Sequence, residues 1–452
     1  MATTSQPRPA TTAPARNQKA RPVTGWILLG LAPILGLIGA AVIFLLAAFF
    51  ITSSILLRLL AVVSCFGISG WLAHRATRKI WPLSRYRFAL GVGGGTTLVL
   101  ALVAAFTVFS PLVPSSEYLP QAALPAKASY WNLSTGSRIA YLKLAAEGMP
   151  KDEPVIFLHG GPGAYAVAHP ASVDYFGRLT RLGYEVYFYD QVGGGLSSRL
   201  EDVRQYSVER HVADLDAIIS QQIKADKVIL IGQSWGGTLA ASYMAEHPQR
   251  VAKAVFSSPA PINYMEWPDY GNISDRLPTE VNREINQAFA SPRLLFLIGM
   301  ANINPRTARD FASDAELDTF FAQVISKMQP GMVCDPAHLP KGENINGFGF
   351  WASTMTQQQS PGNGKVNPRE ALATNPTPAL VMTGECNYLK WAPTYQYRAT
   401  LPNSTLLYFE KAGHVIYYDQ PELYFEALSS FLQDHPLPLA PYQNSQPPEG
   451  VK

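Results

Sequence analysis

The sequence predicts two parts of different chemistry: three membrane-spanning helices, then an α/β domain whose mainly parallel sheet carries helices on both faces. Three observations predict this. The 452-residue chain has no Asp or Glu before Glu117, although ten of its 36 Lys and Arg precede it. Residues 23–57 and 88–113 contain no charged side chain. After residue 128, short apolar runs alternate with segments of helical periodicity, which is typical of a covered parallel sheet.

The apolar stretches predict helices over residues 26–50, 55–73 and 88–113, because a span needs about 20 apolar residues. Pro33 and the polar residues 52–54 interrupt the first stretch, which is too long for one untilted span. Glycines at 91, 93, 94 and 95 should allow the third helix to approach a neighbouring backbone closely. The second and third apolar segments argue against a cleaved signal peptide.

The positions of the ten Lys and Arg residues that precede Glu117 predict how the helices are oriented in the membrane. Nine of the ten lie in a basic tail, residues 1–25, or in the segment 74–87, whereas the turn between the first two helices has none. Positive segments stay cytoplasmic, and only three spans place both of them on that side. A two-span arrangement would translocate the cluster 75–87. We therefore expect a multi-pass protein of the cell membrane, in contact with the lipid bilayer, with an extracytoplasmic catalytic domain.

The α/β domain follows a linker, residues 114–127. Its core should comprise residues 128–260 and 376–434, with a helical cap at 261–375 and a Pro-rich, disordered tail at 435–452. Strands are predicted at residues 138–144, 154–158, 185–189, 227–231, 251–257, 379–382 and 405–408, and helices at 208–223, 237–246 and 421–432. Beyond residue 116 the chain carries 26 basic and 33 acidic side chains, and this acidic balance argues against a nucleic-acid partner.

Ser234 is the candidate nucleophile. It lies in the sequence Gly-Gln-Ser-Trp-Gly (232–236), between an apolar run and a helical segment, and this context is typical of a nucleophile elbow. The glycine-rich sequence 159–163 follows a predicted strand. The N–H groups of Gly161 and Trp235 are the candidate oxyanion hole. A serine hydroxyl needs a base, and His414, which follows the last predicted strand, is the candidate. His159 is expected to shape the oxyanion loop.

These motifs resemble those of the α/β-hydrolases, and most closely the proline iminopeptidase-like serine peptidases. HGGPG at 159–163, GQSWGG at 232–237 and YDQVGGGLSS at 189–198 carry the resemblance, which spans about residues 128–434. It implies an acyl-enzyme mechanism and a cap that selects the substrate. Two residues depart from the family pattern: Val192 replaces an arginine, and Asn387 stands at the position of the triad acid. Asn387 can orient His414, Glu385 or a cap-side acid can substitute, or the enzyme is impaired.

The resemblance implies cleavage of N-terminal residues, proline or another small one, from small peptides, although nothing in the sequence excludes an ester. An aminopeptidase must hold an N-terminal ammonium, and the early cap offers carboxylates that could do so, although a solvated helix face is the better interpretation of each one: Glu266, Asp269, Asp275, Glu280 and Glu284. A carboxylesterase or lipid-acyl hydrolase with the same triad is the alternative enzyme, and a non-catalytic sensor or scaffold is the alternative outside catalysis. No metal and no organic cofactor is expected. Cys334 and Cys386 could pair in an oxidising compartment.

Overall fold

The computed structural model describes residues 20–81, 86–341, 346–357, 367–449 and 451. This part of the chain forms two compact units, which divide between Ser110 and Pro111. Most of the predicted basic tail, up to residue 19, and Arg85 of the second basic segment lie outside the described residues.

The first unit consists of three helices: α1 (Ala20–Ala48), α2 (Ser54–Ile80) and α3 (Tyr86–Phe106). Each is long and apolar enough to cross a membrane. The second helix runs past the predicted end at residue 73. It stops at Trp81, whose extended backbone (φ −126°, ψ 99°) is the conformation expected before a proline, here Pro82. The third helix ends at Phe106, earlier than the predicted residue 113.

Small residues let these helices pack closely, as the glycine cluster predicts. A Cβ on Gly93 of α3 would lie 3.2 Å from the Cα of Gly70 and 3.0 Å from the carbonyl oxygen of Phe66, both in α2. The other three glycines of the cluster, at 91, 94 and 95, face open space. One glycine of the four therefore makes the close backbone contact between α2 and α3.

The second unit is built on an eight-stranded sheet with the spatial order β1-β2-β4-β3-β5-β6-β7-β8. The first two strands pair antiparallel, as do β2 and β4, and the remaining pairs are parallel. The strands are β1 (Ala128–Asn132), β2 (Arg138–Leu144), β3 (Val155–Leu158), β4 (Val186–Tyr189), β5 (Val228–Gln233), β6 (Val251–Ser257), β7 (Ala379–Gly384) and β8 (Ser404–Phe409). Every residue of β3, β4, β5 and β7 is buried, as expected for strands covered on both faces.

Helices cover the sheet and form the insertion between β6 and β7. Those associated with the sheet are α4 (Pro170–Gly177), α5 (Val208–Ala217), α6 (Trp235–Glu246), α13 (Trp391–Thr400), α14 (Ile416–Asp419) and α15 (Pro421–Leu432). Those of the insertion are α7 (Thr279–Phe289), α8 (Pro292–Ile303), α9 (Pro305–Phe311), α10 (Asp314–Met328), α11 (Phe350–Gln357) and α12 (Pro368–Leu372). The predicted helix 208–223 is α5 followed by one π-helical turn, Ile218–Ile223.

The segment that opens the second unit is bound to the insertion. Leu112 N–H donates to Glu316 Oε1 at 2.8 Å, and Leu119 N–H donates to Thr319 Oγ1 at 3.0 Å. Glu316 is also paired with Arg293 at 2.6 Å, and both side chains are buried. The chain that follows Ser110 is thus held by α10.

The C-terminal tail lies against the sheet edge, so the prediction that it is disordered is wrong for its described residues. Tyr442 N–H donates to the carbonyl oxygen of Leu406 in β8 at 2.8 Å. Trp391 Nε1–H donates to the carbonyl oxygen of Ser445 at 2.8 Å. Leu437 and Leu439 pack on the core. These contacts give the Pro-rich segment partners that composition alone does not reveal.

Candidate active site

The candidate nucleophile lies on a strained turn between β5 and α6. Ser234 has φ 55° and ψ −122°, a conformation unfavourable for a residue with a Cβ. The flanking glycines make this turn possible. A Cβ on Gly232 would lie 2.4 Å from the Gly236 carbonyl oxygen, and one on Gly236 would lie 2.0 Å from that of Leu158. The backbone can close into the elbow only because both positions lack a side chain.

The glycine-rich loop after β3 lies directly against this serine. A Cβ on Gly160 would be 3.1 Å from the Cβ of Ser234. Gly161 has φ 114°, which glycine adopts readily. Trp235 is the first residue of α6, so its N–H has no intrahelical partner. The two predicted oxyanion donors therefore lie on the two segments that meet at Ser234.

His159 and Gln191 hold these two segments together. Gln191 N–H donates to His159 Nε2 at 2.9 Å, so the other ring nitrogen, Nδ1, carries the proton and donates to the Gly160 carbonyl oxygen at 2.9 Å. Burial lowers the pKa of His159 to about 4, which keeps the ring neutral. The Gln191 side chain donates to the His159 carbonyl oxygen at 3.0 Å and accepts from Trp235 Nε1–H at 2.8 Å. His159 thus shapes the loop, as predicted, whereas the bridging role of Gln191 was missed.

Asn387 is the residue that contacts Nδ1 of the His414 ring. His414 Nδ1 and Asn387 Oδ1 are 2.9 Å apart. Leu389 N–H also donates to Asn387 Oδ1, at 3.1 Å, and Asn387 Nδ2 donates to Thr383 Oγ1 at 3.2 Å. A backbone N–H can only donate, so the amide oxygen must be the atom that faces both Leu389 and His414. His414 consequently carries its proton on Nδ1 and leaves Nε2 free to act as an acceptor.

Tyr388 lies beside both Ser234 and His414, and sequence reasoning did not identify it. Its hydroxyl donates to His414 Nε2 at 3.4 Å, and its ring packs on the imidazole with centroids 4.4 Å apart. Burial raises the pKa of Tyr388, while a hydrogen bond from the Ser234 hydroxyl lowers it. No direct hydrogen bond between Ser234 and His414 occurs in the described part of the chain. Burial lowers the pKa of His414 to about 3.

A disulfide and a buried carboxylate tie the base loops to the insertion. Cys334 and Cys386 form a disulfide, which settles the pairing that the sequence left open. Asp419 accepts from Gly413 N–H at 2.7 Å and from Cys334 N–H at 2.8 Å. The residues next to Asn387 and His414 are therefore both held to the segment around Cys334.

Glu385, the alternative acid, points elsewhere: its Oε2 accepts from Lys411 N–H at 2.7 Å in an exposed setting. Val192, which replaces the family arginine, is fully buried. A charged side chain at that position would need a buried partner.

A cavity of about 850 Å³ opens above Ser234 and is bounded by the oxyanion loop, the insertion and the loops that carry Asn387 and His414. None of the five carboxylates considered for ammonium binding lines it. Four of them are paired with cations outside the cavity: Glu266 with Arg369, Asp269 with Lys390, Glu280 with Arg283 and Glu284 with Lys327. The fifth, Asp275, is exposed. Across the described residues no cluster of His, Cys, Asp or Glu could hold a metal ion.

Comparison with known families identifies this architecture. Residues 153–421 match the family model described as alpha/beta hydrolase fold. The chain belongs to the α/β-hydrolase family. Family membership and the serine elbow make it a hydrolase of the serine type.

Among curated relatives, the chain is similar to proline iminopeptidases. It is 28% identical to that of Heyndrickxia coagulans over 302 residues, which cover 66% of this chain and 96% of the relative. It is 36% identical to that of Lactobacillus helveticus over 124 residues, 26% of this chain and 39% of the relative. The crystal structure of a proline iminopeptidase from Mycobacterium smegmatis superimposes with a TM-score of 0.45 at 21% identity, covering 68% of this chain and 98% of that one. The α/β-hydrolase fold and the proline iminopeptidase-like character predicted from the motifs are confirmed.

Proposed function

We propose that this chain is a membrane-anchored serine hydrolase that cleaves carboxylic acyl bonds through an acyl-enzyme on Ser234. The observation that carries the proposal is that the strained elbow serine and His414 both contact the Tyr388 hydroxyl, while Asn387 holds the Nδ1 proton of His414. A serine hydroxyl becomes nucleophilic only when a base accepts its proton. The fixed tautomer of His414 presents the basic nitrogen, Nε2, for that purpose.

Ser234 Oγ attacks the carbonyl carbon, and its proton passes to His414 Nε2 by way of the Tyr388 hydroxyl. The N–H groups of Gly161 and Trp235 donate to the oxyanion of the tetrahedral intermediate. Protonated His414 then donates a proton to the leaving group, which departs as the alcohol or amine. In the second half, water loses a proton to His414 and attacks the acyl-enzyme, and His414 returns a proton to Ser234 Oγ as the carboxylic acid product leaves.

Two classes of substrate are candidates for this reaction. The relatives' name makes peptides with an N-terminal proline the first class. Esters are the second, and the cavity favours them because none of its described lining residues is Asp or Glu.

Labelling with a fluorophosphonate tests the mechanism against the alternative of a non-catalytic scaffold. We expect the intact wild-type protein to be labelled on Ser234 and the Ser234→Ala variant to stay unlabelled. His414→Ala should be labelled far more slowly, because the base is gone. If the folded wild-type protein remains unlabelled, the chain is a hydrolase-like scaffold and the proposal fails.

We further propose that α1–α3 anchor the chain in the cell membrane, with the basic segments cytoplasmic and the hydrolase domain on the other side. Cysteine labelling tests the orientation, because Cys65 is buried and Cys334 and Cys386 are paired. A cysteine at Met149, which is 90% exposed, should react with a membrane-impermeant maleimide in intact cells. A cysteine at Ser5 should react only after permeabilisation. The reverse pattern would refute the orientation.

A further inference from the structure

The wall of the cavity above Ser234 carries no fixed charge among its described residues. None of them is Asp, Glu, Lys or Arg. Much of the surface comes from aromatic rings of the insertion and of the segment that leads into it: Tyr264, Trp267, Tyr270, Phe289, Phe321 and Phe348. A substrate that enters this cavity therefore meets mainly apolar surface.

Two histidines among the described wall residues, His159 and His414, do not supply a charge either. Burial lowers the pKa of His159 to about 4 and that of His414 to about 3, so both rings are neutral at pH 7. A third histidine, His169, accepts the Ser172 N–H at Nδ1 over 3.2 Å, as the N-cap of α4.

Two aromatic rings of the wall pack against the elbow and against each other. Tyr264 stacks on Trp235, the residue after Ser234, with centroids 6.2 Å apart and an interplanar angle of 25°. Tyr270 meets Tyr264 edge to face at 5.0 Å. Tyr264 is only 9% exposed, so it cannot turn away without disturbing the elbow. The apolar surface beside Ser234 is thus a rigid feature of the site.

A cavity wall of this kind should favour neutral substrate groups over charged ones. An ammonium group that enters it leaves its hydration shell without meeting a carboxylate among the described wall residues, and the attraction of aromatic faces for a cation offsets only part of that loss. An apolar acyl group gains by leaving water for the same surface. A free N-terminal amine lies next to the scissile carbonyl of an aminopeptidase substrate, so it would have to enter this region charged or lose its proton first.

We infer, on the basis of the proposed acyl-enzyme function, that the substrates are uncharged at the acyl side: apolar carboxylic esters, or amides whose acyl residue has a blocked nitrogen. Substrates with a free ammonium beside the scissile bond are discriminated against. The same catalytic residues serve both classes, and the cavity wall makes the selection.

A matched pair of anilides tests the inference on the full chain in detergent micelles. The substrates are L-prolyl-p-nitroanilide and N-acetyl-L-prolyl-p-nitroanilide, which share the scissile bond and differ in the charged nitrogen. We expect kcat/KM at pH 7 to be at least about tenfold higher for the acetylated compound, a difference of about 1.4 kcal/mol. Equal values, or preference for the free amine, would overturn the inference.

Ester chain length provides the second measurement. We expect kcat/KM for p-nitrophenyl esters to rise from acetate to octanoate in the wild type. In Phe321→Ala the preference for octanoate over acetate should fall several-fold, because an apolar wall residue has been removed. A wild-type protein that cleaves acetate as well as octanoate would contradict an apolar acyl site.

Glu266→Gln is the control for a hidden ammonium site. Glu266 is engaged by Arg369 at 2.8 Å and by Gln396 at 2.9 Å, outside the cavity. We expect the ratio of the two anilide activities to be unchanged, whereas a selective loss of prolyl-anilide cleavage would assign the ammonium to Glu266 and overturn the inference. Fluorophosphonate labelling separates the two proposals: a labelled enzyme that prefers the free amine refutes only the substrate class, and an unlabelled, inactive wild type refutes both.

Discussion

The two halves of the active site are held by different physical effects. The nucleophile half, the elbow around Ser234 and the glycine-rich loop, depends on glycines, because backbone atoms lie close to where a Cβ would be at Gly161, Gly232 and Gly236. The base half, Asn387, Tyr388 and His414, depends on hydrogen bonds from neighbouring loops. Close packing tolerates almost no substitution, whereas a hydrogen-bonded half can exchange one acceptor for another. The departure from the family pattern lies in the second half.

Breaking the nucleophile half should have the largest effect. In Gly236→Ala the new Cβ would meet the Leu158 carbonyl oxygen at 2.0 Å, and backbone cannot move aside as a side chain can. We expect a loss of stability of about 3 kcal/mol or more together with loss of activity. Thermal unfolding and fluorophosphonate labelling measure the two effects.

Gly299→Ala is the matched control, because nothing lies within 4 Å of the Cβ position in this exposed turn of α8. It should leave stability unchanged or raise it by about 1 kcal/mol. Equal behaviour of the two variants would show that steric closure does not form the elbow.

Removing the acceptor in the base half should lower the rate without unfolding the protein. Asn387→Ala leaves the Nδ1 proton of His414 without its partner, so the tautomer and ring orientation are lost. We expect kcat to fall by about 10²–10⁴, within the range that displaced triad partners cause in serine proteases. An unchanged kcat, with the fold confirmed by circular dichroism, would exclude Asn387 from the mechanism.

The pH dependence of kcat/KM reports the protonation state of His414 in the base half. Burial depresses the pKa of His414 from 6.5 to about 3, so the base stays neutral and kcat/KM should show no acid limb between pH 7 and pH 5. In Asn387→Asp a carboxylate would favour the imidazolium, and the limb should move up towards neutral pH. A wild-type limb near pH 6.5 would contradict the depressed value.

Protonation of His414 should also change the free energy of unfolding. Unfolded His414 binds a proton below pH 6.5 and the folded residue only near pH 3, so its contribution to stability is lost as pH falls between these values. Activity at pH 5 should therefore be measured in short assays, with unfolding followed in parallel.

A smaller effect is expected at Tyr388. Tyr388→Phe keeps the ring on His414 but removes the hydroxyl that contacts Ser234, so the proton must pass directly between serine and histidine. We expect kcat to fall by about tenfold, towards the low end of the range for a lost proton-transfer group. A rate equal to or above that of the wild type would show that His414 accepts the proton directly.

The smallest change in activity should follow loss of the disulfide. The Cys334→Ser/Cys386→Ser double variant frees the Asn387 loop from the insertion, yet Asp419 still bridges the same segments through Gly413 and Cys334 N–H. We expect stability to fall by about 2–4 kcal/mol and kcat by only a few-fold. A loss as large as that of Asn387→Ala would make the disulfide part of the catalytic geometry.

The predictable parts of the fold are those with a local cause. The strands Arg138–Leu144 and Val251–Ser257 and the helix Pro421–Leu432 have their predicted bounds, because apolar periodicity and prolines act within a few residues. The edge strand Ala128–Asn132 was missed, since it is short and only partly buried. The tail was wrongly predicted as disordered, because its partners, such as Leu406, are distant in sequence.

Local patterns predict the three apolar helices, the elbow with Ser234 and the succession of strands that places His414 after the last one, because each depends on residues adjacent along the chain. The tertiary fold is needed to learn which residue meets His414, which way the Asn387 amide faces, and that Tyr388 lies beside the nucleophile. The ion pairs of four of the five candidate ammonium-binding carboxylates, which lie outside the cavity, depend on it as well. These facts depend on hydrogen bonds and ion pairs between loops far apart in sequence, whose direction no local pattern encodes.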